Sequence, residues 1–140
     1  MQVAGVAPTD DAFIVILPGP QDYDQDGPAL IGDSHLGFSN LRQFGPTLIH
    51  HTQLKVRKDI QNSNFMLVDS PHQSNTQDRG YDFQGVVKWF AERSDIVLLF
   101  VDPDWPGTTG ETLAVAATVL GVGGLSWYNT VTLQNVSNID

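Results

Sequence analysis

The stretch DRGYDFQGVVKWFAERSDIVLLFVDPDWPGTTGETL, residues 78–113, decides the fold class. Its first part places Phe83, Val86, Val87 and Phe90 at i, i+3, i+4 and i+7, the spacing that lines one face of an α-helix. Asp82 stands just before that run as its N-cap, able to accept a hydrogen bond from a free first-turn N–H. An unbroken apolar run at 96–101 follows, the strongest strand signal in the chain. Thr108 and Glu111 then form a Thr-x-x-Glu capping box ahead of a second apolar helix through about residue 122. Helix, strand and helix in direct succession imply parallel strands joined by helical crossovers.

Working outward, Phe13-Ile14-Val15-Ile16-Leu17, closed by Pro18-Gly19-Pro20, reads as a strand buried on both faces. Residues 18–38 read as a long polar loop. Residues 39–56, SNLRQFGPTLIHHTQLKV, carry helical apolar spacing at Leu41, Phe44, Leu48 and Ile49, with Ser39 or Asn40 as cap. Pro46 is expected to bend or break that helix. Residues 55–63 read as a polar connection, and Phe65-Met66-Leu67-Val68 as a buried strand ending in Asp69. A loop at 70–80 leads into the stretch quoted above. The expected fold is therefore α/β, a mostly parallel sheet flanked by helices. Ligands of such sheets sit beyond the carboxyl ends of the strands, here Leu17-Pro18, Asp69-Ser70-Pro71 and Asp102-Pro103-Asp104. Beyond residue 116 the pattern degrades, and 117–140 reads as a divergent tail whose one strand-like piece is Thr130 to Leu133.

Composition narrows the partners. Net charge is −9 with only 7 Lys and Arg, which excludes the basic surface that nucleic acid requires and a basic membrane-binding face within these residues. There is no cysteine, so no disulfide forms, and the compartment stays open. No apolar run approaches the roughly 20 residues needed to span a bilayer. The beginning, MQVAGVAPTDD, has neither the basic start nor the apolar run of a signal peptide.

Several blocks in one order carry a resemblance. RGYDF at 79–83, WFAER at 89–93, FGPTLIHHTQ at 44–53, PTDDAF at 8–13 and LVDSP at 67–71 together closely resemble the nucleotide-binding domain of the EH-domain (EHD) family of dynamin-like NTPases, over about residues 7–115. The resemblance implies an incomplete P-loop NTPase-like, dynamin-type G domain at 1–116. It also implies Mg²⁺ with GTP or ATP as the cofactor of the intact family. That family's partners are nucleotide, membranes and copies of itself. Its places are the cytoplasm, peripheral membrane or endosome, and its work is membrane remodelling and endocytic trafficking.

By the same resemblance Thr9 and Asp10 occupy the switch I pair, normally Thr-Thr, and Asp69 the switch II carboxylate that helps hold Mg²⁺. Thr9 and Asp10 read equally well as a turn that starts the strand at Phe13, and Asp69 as a cap on the turn before Pro71. His72 stands where the family has a switch glycine, and its Cβ and ring hinder the close backbone approach that glycine permits. Arg79, Tyr81 and Asp82 are expected to fix the start of the helix behind switch II. The chain contains no G-x-x-x-x-G-K-[ST] Walker A block, no Lys before Lys55 and no Asn-Lys-x-Asp block. It is therefore expected to be a fragment that is not catalytically competent alone and binds nucleotide weakly or not at all. The alternative is a non-enzymatic fragment that associates with full-length relatives through an exposed sheet edge.

Three further constellations have their own readings. DYDQDG at 22–27 matches the first half of a calcium loop, with Asp22, Asp24, Asp26 and, at the twelfth position, Asp33 as ligands; a solvated acidic loop explains the same residues. His50, His51 and His35 are candidate zinc ligands, although adjacent helical positions point about 100° apart. GTTGET at 107–112 suggests a phosphate loop, but Glu111 stands where a Lys is needed, and the capping box accounts for it. Phe83, Trp89 and Phe90 read as core rather than ligand contacts.

Overall fold

The computed structural model describes residues 11–61, 63–71, 79–98, 110–121 and 130–131. The chain forms two compact units, 1–81 and 82–140.

In the first unit, the apolar run becomes strand β1, Phe13–Pro18. The residues expected to form a long loop instead contain strand β2, Tyr23–Asp26, and helix α1, Gly27–Gly32. The cause is local: the Asp26 carboxylate accepts from Ala29 N at 2.9 Å, and Pro28 sits in the first turn, where its missing N–H is harmless. The helix expected over 39–56 breaks at Gly45-Pro46 into a 3₁₀ turn, Ser39–Phe44, and helix α2, Pro46–His50. Its last third is strand β3, Thr52–Arg57, not helix. Thr52, Leu54 and Val56 are buried there at 0%, 1% and 4% exposure, with half-exposed residues between them. That period of two marks a strand with one face in the core.

Four strands form one sheet in the order β2-β3-β1-β4, where β4 is Leu67–Asp69. β1 and β3 run parallel, Phe13 opposite Thr52 through Pro18 opposite Arg57. β4 runs antiparallel to β1, and β2 antiparallel to β3. The sheet is therefore mixed, which corrects the expectation of mostly parallel pairing. β4 is also not buried. Phe65 and Met66, just before it, and Leu67, its first residue, are 54%, 45% and 43% exposed, and among the described residues β4 lies at the edge of the sheet. The register sets Phe13, Val15 and Leu17 on one face with Thr52, Leu54 and Val56. α1 and α2 pack against β3, and Leu30, Leu41 and Leu48 are fully buried in this core.

In the second unit, the expected amphipathic helix is present as α3, Phe83–Ala91. Asp82 caps it by accepting from Gly85 N at 3.0 Å. Phe83, Val86, Trp89 and Phe90 are buried, in keeping with their reading as core. Trp89 and Phe90 meet edge to face with centroids 5.1 Å apart. The Arg93 guanidinium lies 4.1 Å over the Trp89 ring while its Nη1 donates to Trp89 O, a cation–π arrangement. Helix α4, Gly110–Leu120, packs on α3 with Val115 and Val119 buried. Of the apolar run 96–101, residues 96–98 are described, and Val97–Leu98 form strand β5. It pairs in parallel with strand β6, Thr130–Val131. The expected boundary after residue 116 falls within α4, and the Thr108–Glu111 capping box falls outside the described side chains.

Candidate functional site

The direction of β4 decides which residues share an end of the sheet. Because β4 is antiparallel to β1, Asp69 lies opposite Ile14, at the end where the chain enters β1. Leu17-Pro18, expected beside Asp69 at the carboxyl ends of parallel strands, lies at the other end. The registers extend this into one cross-strand row, Asp26, Gln53, Ile14 and Asp69, over all four strands. Asp69 is exposed, and Pro71, two residues on, is buried. Thr9, Asp10, His72, Asp102 and Asp104 lie outside the described residues.

The same end of the sheet is held by a compact set of contacts. Phe13 N donates to His51 O at 2.8 Å. The His51 ring donates from Nδ1 to Thr47 O at 2.8 Å. The buried Thr52 hydroxyl donates to Leu48 O at 2.8 Å. Together with the His51 N–H, which also donates to Thr47 O and Leu48 O, these bonds close the C-terminus of α2. The Tyr81 ring lies 6.5 Å from Phe13 and 6.2 Å from His51, centroid to centroid. Beside β2, an open depression of about 360 Å³ runs between Asp26 and His50. It also touches Gln25, whose Oε1 is buried without a hydrogen-bond partner.

The four acids of the calcium-loop reading are not brought together. Asp22 Oδ1 accepts from Lys58 N at 2.8 Å, Asp24 pairs with Arg57 at 2.6 Å, Asp26 caps α1, and Asp33 accepts from His35 N at 2.9 Å. Asp24 and Asp26 share one face of the strand Tyr23–Asp26, but each is engaged by a partner of its own. Among the described residues no three His, Asp or Glu side chains are grouped to hold a metal ion; His35, His50 and His51 form no such group. The hydrogen bond to Asp24 raises the pKa of Arg57 despite some opposing desolvation, and the charges of Asp24 and Asp22 add to the rise.

Asp69 fits a Mg²⁺–nucleotide site as a single carboxylate. Mg²⁺ is commonly held by one or two carboxylates together with substrate phosphates rather than by a protein cage. Among the described residues Asp69 belongs to no group of three or more His, Asp or Glu side chains, and the 140 residues contain no Walker A block to anchor the phosphates. Tyr81 is the residue of this end whose place the sequence concealed. Its RGYD block was expected to fix the start of the helix, which Asp82 does, whereas the Tyr81 ring reaches back to β1 and α2.

A comparison with protein-family models finds no match. Curated proteins do match. EH domain-containing protein 1 of Arabidopsis thaliana is 30% identical over 122 residues, covering 84% of this chain and 22% of its own length. EH domain-containing protein 2 of the same plant is 30% identical over 103 residues, 71% of this chain and 19% of its own length. EH domain-containing protein 1 of Homo sapiens is 31% identical over 102 residues, 70% of this chain and 19% of its own length. The chain spans about a fifth of the length of the curated relatives it matches. Among the described residues no helix is long and apolar enough to cross a membrane.

Proposed function

From the premise that this chain is a relative of the EH domain-containing proteins over most of its residues, we propose that it corresponds to the part of their nucleotide-binding domain running from switch I past switch II. It serves a dynamin-like protein that binds GTP or ATP with Mg²⁺ and works peripherally on cytoplasmic and endosomal membranes in remodelling and endocytic trafficking. The observation that carries the reading is the placement of Asp69 opposite Ile14, at the end of the sheet where the chain enters β1. A carboxylate at the end of a strand is where a Mg²⁺-side acid would stand. The residues present do not anchor phosphates, so these 140 residues alone bind nucleotide weakly and do not hydrolyse it.

Two measurements test this. Titration of fluorescent GTP and ATP analogues with Mg²⁺ is expected to show no micromolar binding; micromolar affinity would overturn the claim of incompetence. With millimolar Mn²⁺–GTP, paramagnetic broadening of NMR signals is expected around Asp69 and Ile14 and is abolished by Asp69→Asn. Broadening confined to Asp22–Asp26 would remove the nucleotide assignment and favour a cation-binding acidic segment.

A second reading, an interaction fragment that pairs with full-length relatives, is favoured by β4, an edge strand among the described residues, and by the exposed Phe65, Met66 and Leu67 that lead into and begin it. An exposed apolar strand edge invites strand addition. Concentration-dependent association, measured by light scattering and suppressed by Met66→Lys, supports it; a strictly monomeric chain excludes it.

A further inference from the structure

We propose that Tyr81 is a positioning residue for the Asp69 carboxylate, acting through Phe13. The return segment after the Asp69 loop is pinned to the first unit at two points. Gly80 adopts φ +70°, and a Cβ there would meet Thr47 Cγ2 at 3.2 Å, so glycine lets the chain turn close against α2. The next side chain, Tyr81, then packs its ring near Phe13 and near His51. His51 is itself tied to Thr47 O by its ring and to Phe13 N by its carbonyl. Phe13 is 1% exposed and is the first residue of β1. Its chain neighbour Ile14 is the residue opposite Asp69.

The contacts therefore run from Tyr81 to Phe13 and His51, then along β1 to Ile14, and across the ladder to Asp69. β4 has only three residues, all paired with β1 and none with a further strand among the described residues. Such a strand holds its register only as well as the partner strand is held. Tyr81 and Phe13 add aromatic packing of the kind that stabilises beyond area burial. Removing the Tyr81 ring loosens the beginning of β1, and the strand end carrying Asp69 loosens with it.

The inference rests on Asp69 being the nucleotide-side carboxylate, and its test is chosen to be independent of nucleotide. Native-state hydrogen exchange is followed in peptides covering 12–16, 66–70, 53–57 and 79–84 for the parent, Tyr81→Phe and Tyr81→Leu. Tyr81→Phe is expected to stay within about twofold of the parent throughout, because the ring is kept. Tyr81→Leu is expected to speed exchange at 12–16 and 66–70 by about tenfold, and at 53–57 by less than about threefold. A uniform rise in all peptides shows that Tyr81 only stabilises the unit as a whole, and overturns the inference. A rise confined to 79–84 shows that the contact does not reach Asp69, and overturns it equally. Loss of Mn²⁺–GTP broadening at Asp69 in the parent would instead remove the nucleotide reading and leave this exchange result standing.

Discussion

Gly27→Ala is the substitution for which the structure makes the sharpest demand. Gly27 opens α1 immediately after β2, where the chain crosses the junction between α2 and β3. An added Cβ would overlap the carbonyl of Ile49, with the Ile49 carbonyl carbon at 2.7 Å and Thr52 O at 2.8 Å. Carbon atoms prefer about 3.5–4.0 Å, and the overlapped Ile49 oxygen is nearer still, so one of the two backbone segments must move by more than an ångström. Overpacking of this kind costs roughly 1–3 kcal/mol, occasionally more. The gain from a less flexible unfolded chain returns only about 0.4–1 kcal/mol. The expected net loss is therefore on the order of 1–2 kcal/mol or more. Gly32→Ala is the matched control at the other end of the same helix: nothing lies within 4 Å of its added Cβ, so it is expected to be neutral or to stabilise by up to about 1 kcal/mol. Urea denaturation followed by far-UV circular dichroism reads both, and the two variants should bracket the parent. If Gly27→Ala proves as stable as Gly32→Ala, the close crossing of the two junctions is wrong. The order β2-β3 at that side of the sheet would fall with it.

Other substitutions probe other parts of the reading. Leu54→Ala empties a site that is 1% exposed and should cost about 2–5 kcal/mol, whereas Lys55→Ala beside it should stay within roughly 0.5 kcal/mol; equal effects in thermal melts would contradict strand alternation at 52–57. Asp82→Ala removes the carboxylate that accepts from Gly85 N and should cost about 1 kcal/mol, measured as loss of helix content and stability. Arg57→Ala breaks an ion pair whose side chains are 33% and 62% exposed, so roughly 0.2–1 kcal/mol is expected, shrinking with added salt. The raised pKa of Arg57 means that its contribution is fully present below the ordinary arginine range and is lost only as pH rises through that range. The difference between parent and Arg57→Ala should accordingly be flat with rising pH from neutrality to about pH 10; a marked fall within that window would place the pair's partner elsewhere.

Local signals carried much of the fold. The strand at Phe13–Pro18 was legible from its apolar run and Pro-Gly-Pro close, the helix at Phe83–Ala91 from its period and cap, and the strand before Asp69 in its place though not in its burial. The failures have two causes. Leu48 belongs to a helical i, i+4 pattern with Phe44, while Leu54 and Val56 alternate as a strand. Where two periods abut at His50–Thr52, the apolar residues alone do not show where one ends. The loop expected at 18–38 hid β2, a strand of Tyr, Gln and two Asp that only pairing with β3 stabilises.

The sequence by itself determined the acidic α/β character, the strand that ends in Asp69, the capped helix at Phe83–Ala91, and the kinship with EH domain-containing proteins that comparison bears out. Those properties are written in composition, short-range periodicity and ordered blocks. Only the tertiary structure decided strand direction. An antiparallel β4 places Asp69 at the end where β1 begins rather than beside Leu17-Pro18. It also decided that Tyr81 closes back on Phe13 and His51, while the acids of DYDQDG go to separate partners. Direction and long-range partners depend on which surfaces bury one another, and no local period encodes that.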